Sequence, residues 1–458
     1  MIDTPVHKGR RARTIVMLLA ASVGLMMTGY GIVMPVFARR LDELGAGVSA
    51  LGFMTMAFAL AQFALAPFMG NLADRFGRRP LVLLALAGVV VTNIAYLVTA
   101  TVEAYIITRF LQGALTAGLL PASLAVVADI FPEEGRGRWA GLLMGAYGAG
   151  FIFGPALGGA LYDGLGFVAP FGVSAGLALV GLLLAAVLVP ETRPPVAQSE
   201  PPKDGSAQER RPTLASLPRP LNVFFALLAL DFTAFFGFAF VEPEMVFYFY
   251  DRLGYSTTQF GLLVGGYGLA MVAGQTALGG LSDRFGRRPI IAAGFALNAV
   301  FFLGLATLDR FGLILLLAVS AGLGNALATP ALSASYLDIT EERCRSSVLG
   351  IKESAAALGA VAGPLLVAFV SPFTTPSGVF AASGIVALGA MFLSLFALRG
   401  LRRPERVAVR EELPTAAATS HRLTRAMDEA SDAVPVGTAS VAAMDEQLTI
   451  PTANEKLP

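Results

Sequence analysis

Long runs of apolar residues recur along the whole chain and limit it to a few kinds of fold. An α-helix rises about 1.5 Å per residue, so a run of about 18 residues or more crosses a hydrocarbon core of about 30 Å. Twelve such runs lie near residues 15–37, 50–70, 81–100, 104–130, 139–162, 167–190, 221–249, 258–281, 290–308, 311–339, 346–371 and 379–398. The sequence therefore predicts an all-α polytopic membrane protein with twelve transmembrane helices.

The composition supports lipid as the solvent and excludes several classes of function. Of the 458 residues, 55% are hydrophobic and 14% are charged, whereas about a quarter of a soluble domain is charged. The only cysteine, Cys344, excludes a disulfide within the chain. We find no nucleophile–base pair, metal-ligand cluster or phosphate loop, so we expect neither an enzyme nor a bound cofactor. No groove-reading motif accompanies the net charge of +1, so we expect no nucleic-acid partner.

Lysine and arginine residues in the connections predict the orientation, because positively charged loops stay in the cytoplasm. They are concentrated in the N-terminal tail, in the central linker and in the loops after segments 2, 4, 8 and 10. We expect a multi-pass protein of the inner (cytoplasmic) membrane with both termini in the cytoplasm. The predicted parts are a cytoplasmic tail at 1–14, six-helix bundles at 15–190 and 221–398, a cytoplasmic linker at 191–220 and a disordered cytoplasmic tail at 399–458.

The second half of the chain repeats the first. Adding 209 to a residue number carries Asp42 onto Asp251, and it carries the RFGRRP run that follows Asp74 onto the RFGRRP run that follows Asp283. The same offset carries Gly154-Pro155 onto Gly363-Pro364 without any insertion. Because each copy has six segments, the copies are predicted to be parallel repeats that enclose a central site near the middle of the membrane.

The loop GNLADRFGRRP resembles the signature of the major facilitator superfamily, and the resemblance covers about residues 14–400. It implies two bundles that alternate access to a central cavity, work as a monomer and draw energy from a proton gradient. It also implies a cytoplasmic latch in which an acid and its arginines pair across the interface between the halves. The latch residues are Gly70, Asp74, Arg75, Gly77, Arg78 and Arg79, their copies Gly279, Asp283, Arg284, Gly286, Arg287 and Arg288, and the helix-end acids Asp129 and Asp338. Topology and turn formation alone would explain much of this loop.

Segment 4 contains RFLQG, which places Arg109 and Gln112 on one helical face. Arg109 lies about 8 Å inside the outer end of the helix, from where its side chain could also extend to the interface. The run resembles a motif of proton-coupled members of the superfamily, whose arginine faces the cavity. The second half has Ala318 and Ala321 at the equivalent positions.

Segment 5 contains a row of glycines with a proline in the middle. Its members are Gly150, Gly154, Pro155, Gly158 and Gly159. Small residues at this spacing let membrane helices pack closely, which would be a sufficient explanation. The arrangement also resembles the antiporter signature of exporters, which favours export and predicts a close-packed hinge or seal.

Coupling to protons needs a titratable group inside the membrane, and Asp231 lies about 15 Å deep in segment 7. Burying a charge at this depth costs at least about 2.5–3.5 kcal/mol, so such acids are usually functional. We expect Asp231 to accept the proton, with Arg109 modulating it electrostatically. Glu353 is a second candidate, unless it only pairs with Lys352 or Arg345.

The substrate leaves the weakest signal in the sequence. Gln112, Met27, Phe232 and Phe235 are candidates for the cavity wall, although most membrane phenylalanines face lipid or fill the core. Soft and aromatic walls suit lipophilic compounds.

Together these features predict a proton-coupled exporter of small lipophilic compounds or drugs, similar to the drug:proton antiporter branch that includes tetracycline and multidrug exporters. Its expected partners are a small-molecule substrate, protons and the lipid bilayer. One alternative is a proton symporter that imports a metabolite, which would not need the glycine–proline row of segment 5. Another is a non-transporting membrane receptor or assembly factor, which would not need an acid in the middle of the membrane.

Overall fold

The computed structural model describes residues 5–131, 133–192, 218–278, 280–341 and 344–400. Its described residues form helices and short connections without any β-strand, and twelve segments are long and apolar enough to cross a membrane. The prediction of twelve transmembrane helices is therefore confirmed. The α-helices are α1 Pro5–Glu43, α2 Val48–Phe76, α3 Arg78–Val98, α4 Val102–Thr116, α5 Leu119–Ile130, α6 Glu133–Leu165, α7 Val168–Leu188, α8 Leu221–Phe247, α9 Thr257–Leu278, α10 Leu281–Phe285, α11 Arg287–Leu305, α12 Phe311–Ile339, α13 Arg345–Val370 and α14 Pro376–Ala397.

Segment 4 is divided, although the sequence predicted one continuous helix over 104–130. The α4 and α5 helices are separated at Ala117 and Gly118. Pro121 has no N–H to donate to the carbonyl four residues earlier, so the helical hydrogen bonds are interrupted here. The counterpart of Pro121, Pro330, lies inside the undivided helix α12. The two halves therefore differ at this position despite the shared proline.

Two glycines allow the same sharp turn in both halves. Gly77 between α2 and α3 has φ +106°, and Gly286 between α10 and α11 has φ +91°. Residues with a Cβ rarely adopt this left-handed conformation, whereas glycine does so at little cost. We call the end of the bundle that carries these two turns the basic end. The far end is the opposite one, where the loops at 44–47 and 253–256 lie.

The same helix pairs pack in each half, as expected for parallel repeats. In the first half α1 packs on α6, α2 on α4 and α3 on α7, and in the second half α8 packs on α13, α9 on α12 and α11 on α14. The halves meet through two further pairs, α6 with α9 and α2 with α13, which are equivalent to each other under the repeat. The helix pairs that form the interface therefore follow the same twofold repeat as the sequence.

The buried apolar residues show where the halves are joined. One core cluster contains residues of both halves, such as Val36 and Phe37 from α1 and Phe240 and Phe260 from the second half, and it lies in the far half of the molecule. In the basic half, the first bundle has its own cluster around Leu86, and the second bundle has a separate one. Among the described residues, the apolar core that joins the halves therefore lies at the far end.

Two predicted parts fall largely outside the described residues. In the linker predicted at 191–220 only residues 191–192 and 218–220 are described, and in the tail predicted at 399–458 only residues 399 and 400. The predicted N-terminal tail at 1–14 is helical from Pro5 onward, because α1 begins there.

Candidate functional site

Arg109 is held inside the bundle rather than at its surface. Thr101 caps the start of α4, and Arg109 follows two turns later with only 6% of its surface exposed. Its guanidinium donates to Oε1 of Gln112 at 2.6 Å and to the hydroxyl of Tyr30 at 2.8 Å. Tyr96 donates to the same amide oxygen at 3.3 Å. These bonds fix the arginine in one orientation, and they place Gln112 as its support.

Aromatic rings surround the Arg109 guanidinium. The centroids of Tyr30, Phe37 and Phe58 lie 4.8, 5.0 and 4.4 Å from its central carbon. A cation over the faces of such rings is stabilised by about 0.5–2 kcal/mol each, more when water is excluded. The site can therefore keep a positive charge within the membrane without a direct ion pair.

Glu242 of α8 faces this cation from the other half of the protein. It interacts electrostatically with both Arg109 and Tyr30, and it is half-buried. The two charges belong to different halves, and no ion pair within 4 Å joins them in the described part of the chain. We did not predict Glu242 from the sequence. The sequence did contain a signal for Glu242, because this residue is a carboxylate inside the apolar segment 221–249, and such a carboxylate is expected to be functional.

A second carboxylate, Glu244, lies two residues further along α8, beyond Pro243. It is 5% exposed, and its Oε2 atom has no hydrogen-bond partner among the described residues. Two residues turn a helix by about 200°, so Glu244 points away from the side that Glu242 occupies. The pair therefore offers two acids at the same depth on opposite sides of one helix.

Asp231 lies in a different cluster from Arg109, contrary to the role that we predicted for the two together. It is 2% exposed, its Oδ2 atom has no hydrogen-bond partner among the described residues, and its electrostatic neighbours are Tyr336, Lys352 and Glu353. Eleven residues separate Asp231 from Glu242, which is about 16 Å along the helix. The difference in depth explains why Arg109 reaches the one acid and not the other.

Glu353 forms the local ion pair that we had weighed against a coupling role. Its Oε1 atom lies 2.9 Å from Nζ of Lys352. The Glu353 side chain is 70% exposed and that of Lys352 is 8% exposed, so the pair connects the buried surroundings of Asp231 with the outside of the bundle.

The predicted wall residues have different surroundings. Met27 is buried in the apolar core of the first half, and Phe232 stacks on Phe236 with ring centroids 5.5 Å apart. Phe235 is 46% exposed. An aromatic contact missed from the sequence is that of Phe238 with Tyr267, whose centroids lie 5.6 Å apart.

At the basic end, the latch residues of the first half form contacts within that half. Arg78 pairs with Asp129 at 3.2 Å, and Arg79 donates to the carbonyl of Ala186 at 2.5 Å. Glu191 accepts from the backbone N–H groups of Arg78 and Arg79 at 3.0 and 3.3 Å, at the start of α3. A negative charge is favourable at this helix N-terminus.

The second half repeats this arrangement around Arg287. The guanidinium pairs with Asp338 at 3.1 Å and with Asp283, and it donates to Ser282 at 2.7 Å. Arg284 is exposed and Arg288 is half-buried, while Gly279 and the side chain of Asp74 are outside the described part of the chain. The pairs of Arg78 with Asp129 and of Arg287 with Asp338 each lie within one half. Pairing of Asp74 across the interface, which the resemblance implies, stays a prediction.

One face of the glycine row packs against α1 of the same half. A Cβ atom on Gly150 would lie 2.6 Å from the carbonyl oxygen of Gly24, and one on Gly154 would lie 2.7 Å from Cα of Gly31. A Cβ atom on Gly158 would overlap the backbone of Ile32. Three successive turns of α6 are therefore pressed against the main chain of α1, as expected for small residues at this spacing.

The other face of the same row crosses to the second half. A Cβ atom on Gly159 would lie 2.7 Å from Cα of Thr258, and one on Gly261 would lie 2.6 Å from the carbonyl carbon of Pro155. The equivalent crossing has Gly52 against Pro364, with 2.8 Å from the added Cβ to the carbonyl oxygen. Each glycine–proline pair thus places its proline carbonyl against a glycine of the opposite half. We call the α6–α9 contact the seam.

Comparison with known proteins extends over both halves. The family model described as Major Facilitator Superfamily matches residues 18–256 and 227–431. Tetracycline resistance protein, class G, of Vibrio anguillarum is 32% identical over 406 residues, which are 86% of this chain and 98% of that protein. Multidrug resistance protein 2 of Bacillus subtilis is 24% identical over 356 residues, 77% of this chain and 88% of that protein. The fold is similar to that of a solved structure, a bacterial homolog of the human lysosomal transporter Spinster in an inward-facing and unoccupied conformation. The TM-score is 0.65 and the sequence identity is 14%, and the match covers 84% of this chain and 95% of that chain.

Proposed function

The chain belongs to the major facilitator superfamily, and from this premise we propose that it exports small lipophilic compounds in exchange for protons by alternating access. Relatives whose names describe tetracycline and multidrug resistance support the direction and the class of substrate. In this proposal the protein acts as a monomer in the inner membrane. Its basic end and both termini face the cytoplasm, because arginine-rich loops stay there.

The observation that carries the proposal is the approach of Glu242 to Arg109 inside the membrane. A carboxylate near a held cation can exchange its negative charge for a bound proton, and the exchange changes the attraction between the halves. The charged acid also favours a positively charged or hydrogen-bonding substrate beside Phe238 and Tyr267. Proton and substrate then compete for one site, which is the requirement for antiport.

Asp231 has a second role in this proposal, as a proton-binding group of the second half. It lies on almost the same side of α8 as Glu242, because eleven residues at about 100° each make three turns and about 20°. The Lys352–Glu353 pair connects its surroundings with the basic end. A proton that leaves Glu242 toward the cytoplasm therefore meets a second acceptor on the way.

The latch belongs to the opposite state of the cycle. Among the described residues the apolar core that the halves share lies at the far end, which favours a cavity that opens at the basic end. Arg78 and Arg287 keep their pairs within each half in this state. Closing the basic end would bring the two charged turns together and allow pairing across the interface.

Inverted membrane vesicles test the proposal. An imposed proton gradient, acidic inside, should drive uptake of a fluorescent lipophilic dye, and Glu242→Gln should abolish that uptake. The variant should still exchange dye across the membrane when no gradient is present, because the cavity remains. Gradient-driven uptake at the normal rate in Glu242→Gln would refute Glu242 as the carrier, and proton-driven accumulation in right-side-out vesicles would indicate import.

Glu244→Gln is the matched control. It removes the same charge from the same helix two residues away, on the side that does not face Arg109. Dye uptake in this variant should stay close to that of the unmodified protein. Loss of uptake in both variants would mean that α8 tolerates no such change, and the role of Glu242 would then lose its support.

A further inference from the structure

An aspartate of the first half holds the start of a helix of the second half at the far end. Asp163 lies at the end of α6, and its Oδ2 atom accepts from the backbone N–H and the hydroxyl of Thr258 at 2.8 and 2.6 Å. Its Oδ1 atom accepts from the N–H of Thr257 at 3.3 Å. One carboxylate thus receives three hydrogen bonds across the interface.

The helix α9 does not need Asp163 in order to begin. Ser256 and Gln259 form a reciprocal cap, with the Ser256 hydroxyl accepting from the Gln259 N–H at 3.1 Å and the Gln259 side chain accepting from the Ser256 N–H at 2.9 Å. Such a capping box is a sufficient start for a helix. The bonds to Asp163 use the two first-turn N–H groups that the box leaves unsatisfied. The hydrogen bonds to Asp163 therefore connect the two halves and are not needed to start α9.

Asp163 lies at the far end of the seam. It follows Gly159 by one helical turn and Pro155 by two, so the three residues share one face of α6. Gly159 and Pro155 allow the main chains of α6 and α9 to touch, as the contacts with Thr258 and Gly261 show. Packing of this kind is apolar and lacks the directional bonds that a hydrogen-bonded contact has. The carboxylate adds bonds that exist only when the seam is closed.

The equivalent position in the second half has no such group. Adding 209 leads from Asp163 to Pro372, which has no side-chain acceptor. At that crossing the hydroxyls of Ser49 and Ser371 lie 3.2 Å apart, a neutral contact. A charged acceptor forms stronger hydrogen bonds than a neutral one, so the two crossings differ in strength. The α6–α9 crossing is the stronger.

Arg39 supports the closed arrangement nearby. It donates to the carbonyl of Tyr255 at 3.0 Å and lies 3.9 Å over the ring of Tyr250. The Tyr250 hydroxyl in turn donates to the carbonyl of Pro35 at 2.8 Å. These contacts also join the two halves, and they lie beside the loop that leads to Thr257.

We propose that Asp163 is a gate residue, which keeps the far end closed by capping α9 across the interface and must release it for the far end to open. The inference rests on the alternating access of the proposed function, but not on proton coupling or on the direction of transport. It concerns a bond that holds one conformational state, and its loss changes the balance between states rather than the fold of either half.

A distance measurement between the halves tests the gate. Spin labels are placed at Val98→Cys in the first half and Phe373→Cys in the second, two far-end positions that are 80% and 89% exposed, in a Cys344→Ser background. The distance between the two labels is measured by double electron–electron resonance on the purified protein in nanodiscs, without substrate. Asp163→Ala should increase the ratio of long to short distances about fivefold, the effect of losing a helix cap. Thr258→Val, which removes one of the three bonds, should give an increase of about twofold.

Glu103→Ala is the control, because Glu103 is another exposed far-end carboxylate and lies in the first turn of α4. Its distance distribution should match that of the parent protein. Unchanged distributions in both Asp163→Ala and Thr258→Val would overturn the gate, and so would an equal change in Glu103→Ala. Should Asp163→Ala fail to fold, the nearly isosteric Thr258→Val alone decides. Failure here leaves the dye-uptake test of Glu242 unaffected, so the two proposals fail separately.

Discussion

The substitution Gly159→Ala should open the far end, because the added methyl group has no room in the seam. Its Cβ atom would lie 2.7 Å from Cα of Thr258 and 2.5 Å from the carbonyl carbon of Thr257, whereas carbon atoms in contact are about 3.5–4.0 Å apart. Relief requires α6 and α9 to separate by about 1 Å. The glycines on the opposite face press α6 against α1, so α6 cannot retreat within its own half.

The cost of keeping the seam closed in this variant is about 1–3 kcal/mol, typical of overpacking. A free energy of that size shifts a two-state equilibrium about 5- to 150-fold. The spin-label pair at Val98 and Phe373 should therefore report a large rise in the long-distance population, while circular dichroism and the melting temperature change little.

Two glycines of the same helix are matched controls. Gly158→Ala places its methyl group against Ile32 of the same half, so it should lower the melting temperature instead of specifically opening the far end. Gly145 has nothing within 4 Å of an added Cβ atom, so Gly145→Ala should leave the distance distribution unchanged and favour the helix by about 0.5–1 kcal/mol. A distribution for Gly159→Ala that equals that of Gly145→Ala would refute the reasoning.

Three further predictions concern charged residues. Arg109→Lys keeps the charge but loses the forked hydrogen bonds to Gln112 and Tyr30. Proton-driven dye uptake should fall about tenfold or more, while the melting temperature changes little. Normal uptake would contradict the need for a positioned guanidinium. Asp231→Asn removes a buried carboxylate whose Oδ2 atom has no hydrogen-bond partner among the described residues. Differential scanning calorimetry should show a melting temperature raised by about 2–4 °C, and proton-driven dye uptake should be slower. A lowered melting temperature would mean that attraction of the carboxylate to its neighbours outweighs the cost of burying its charge. Arg287→Ala should lower the melting temperature by about 2–4 °C, because the carboxylates of Asp283 and Asp338 lose their partner. An unchanged melting temperature would show that these two ion pairs do not contribute to stability.

The prediction from sequence was most successful where lipid and the repeat constrain the chain. The twelve apolar runs correspond to twelve segments of the described chain that are long and apolar enough to cross a membrane. The two RFGRRP runs correspond to two turns with the same glycine conformation. It was least successful at the charged site. Residue counts place both acids along α8, but which of them lies level with Arg109 depends on how α8 and α4 are placed relative to each other in the folded protein. Glu242 interacts with Arg109, whereas Asp231 interacts with Tyr336, Lys352 and Glu353.

The sequence alone determined the membrane environment, the duplication and the list of residues that break its symmetry, because each of these is a property of apolar length and of matching positions. Only the tertiary structure decided the partners. Gly158 and Gly159 are neighbours of the same type, yet one presses against α1 and the other against α9, because successive residues on a helix point about 100° apart. Asp163 shows the same dependence, since its position in the sequence gives no sign of α9, and its three bonds arise from the packing of the two halves.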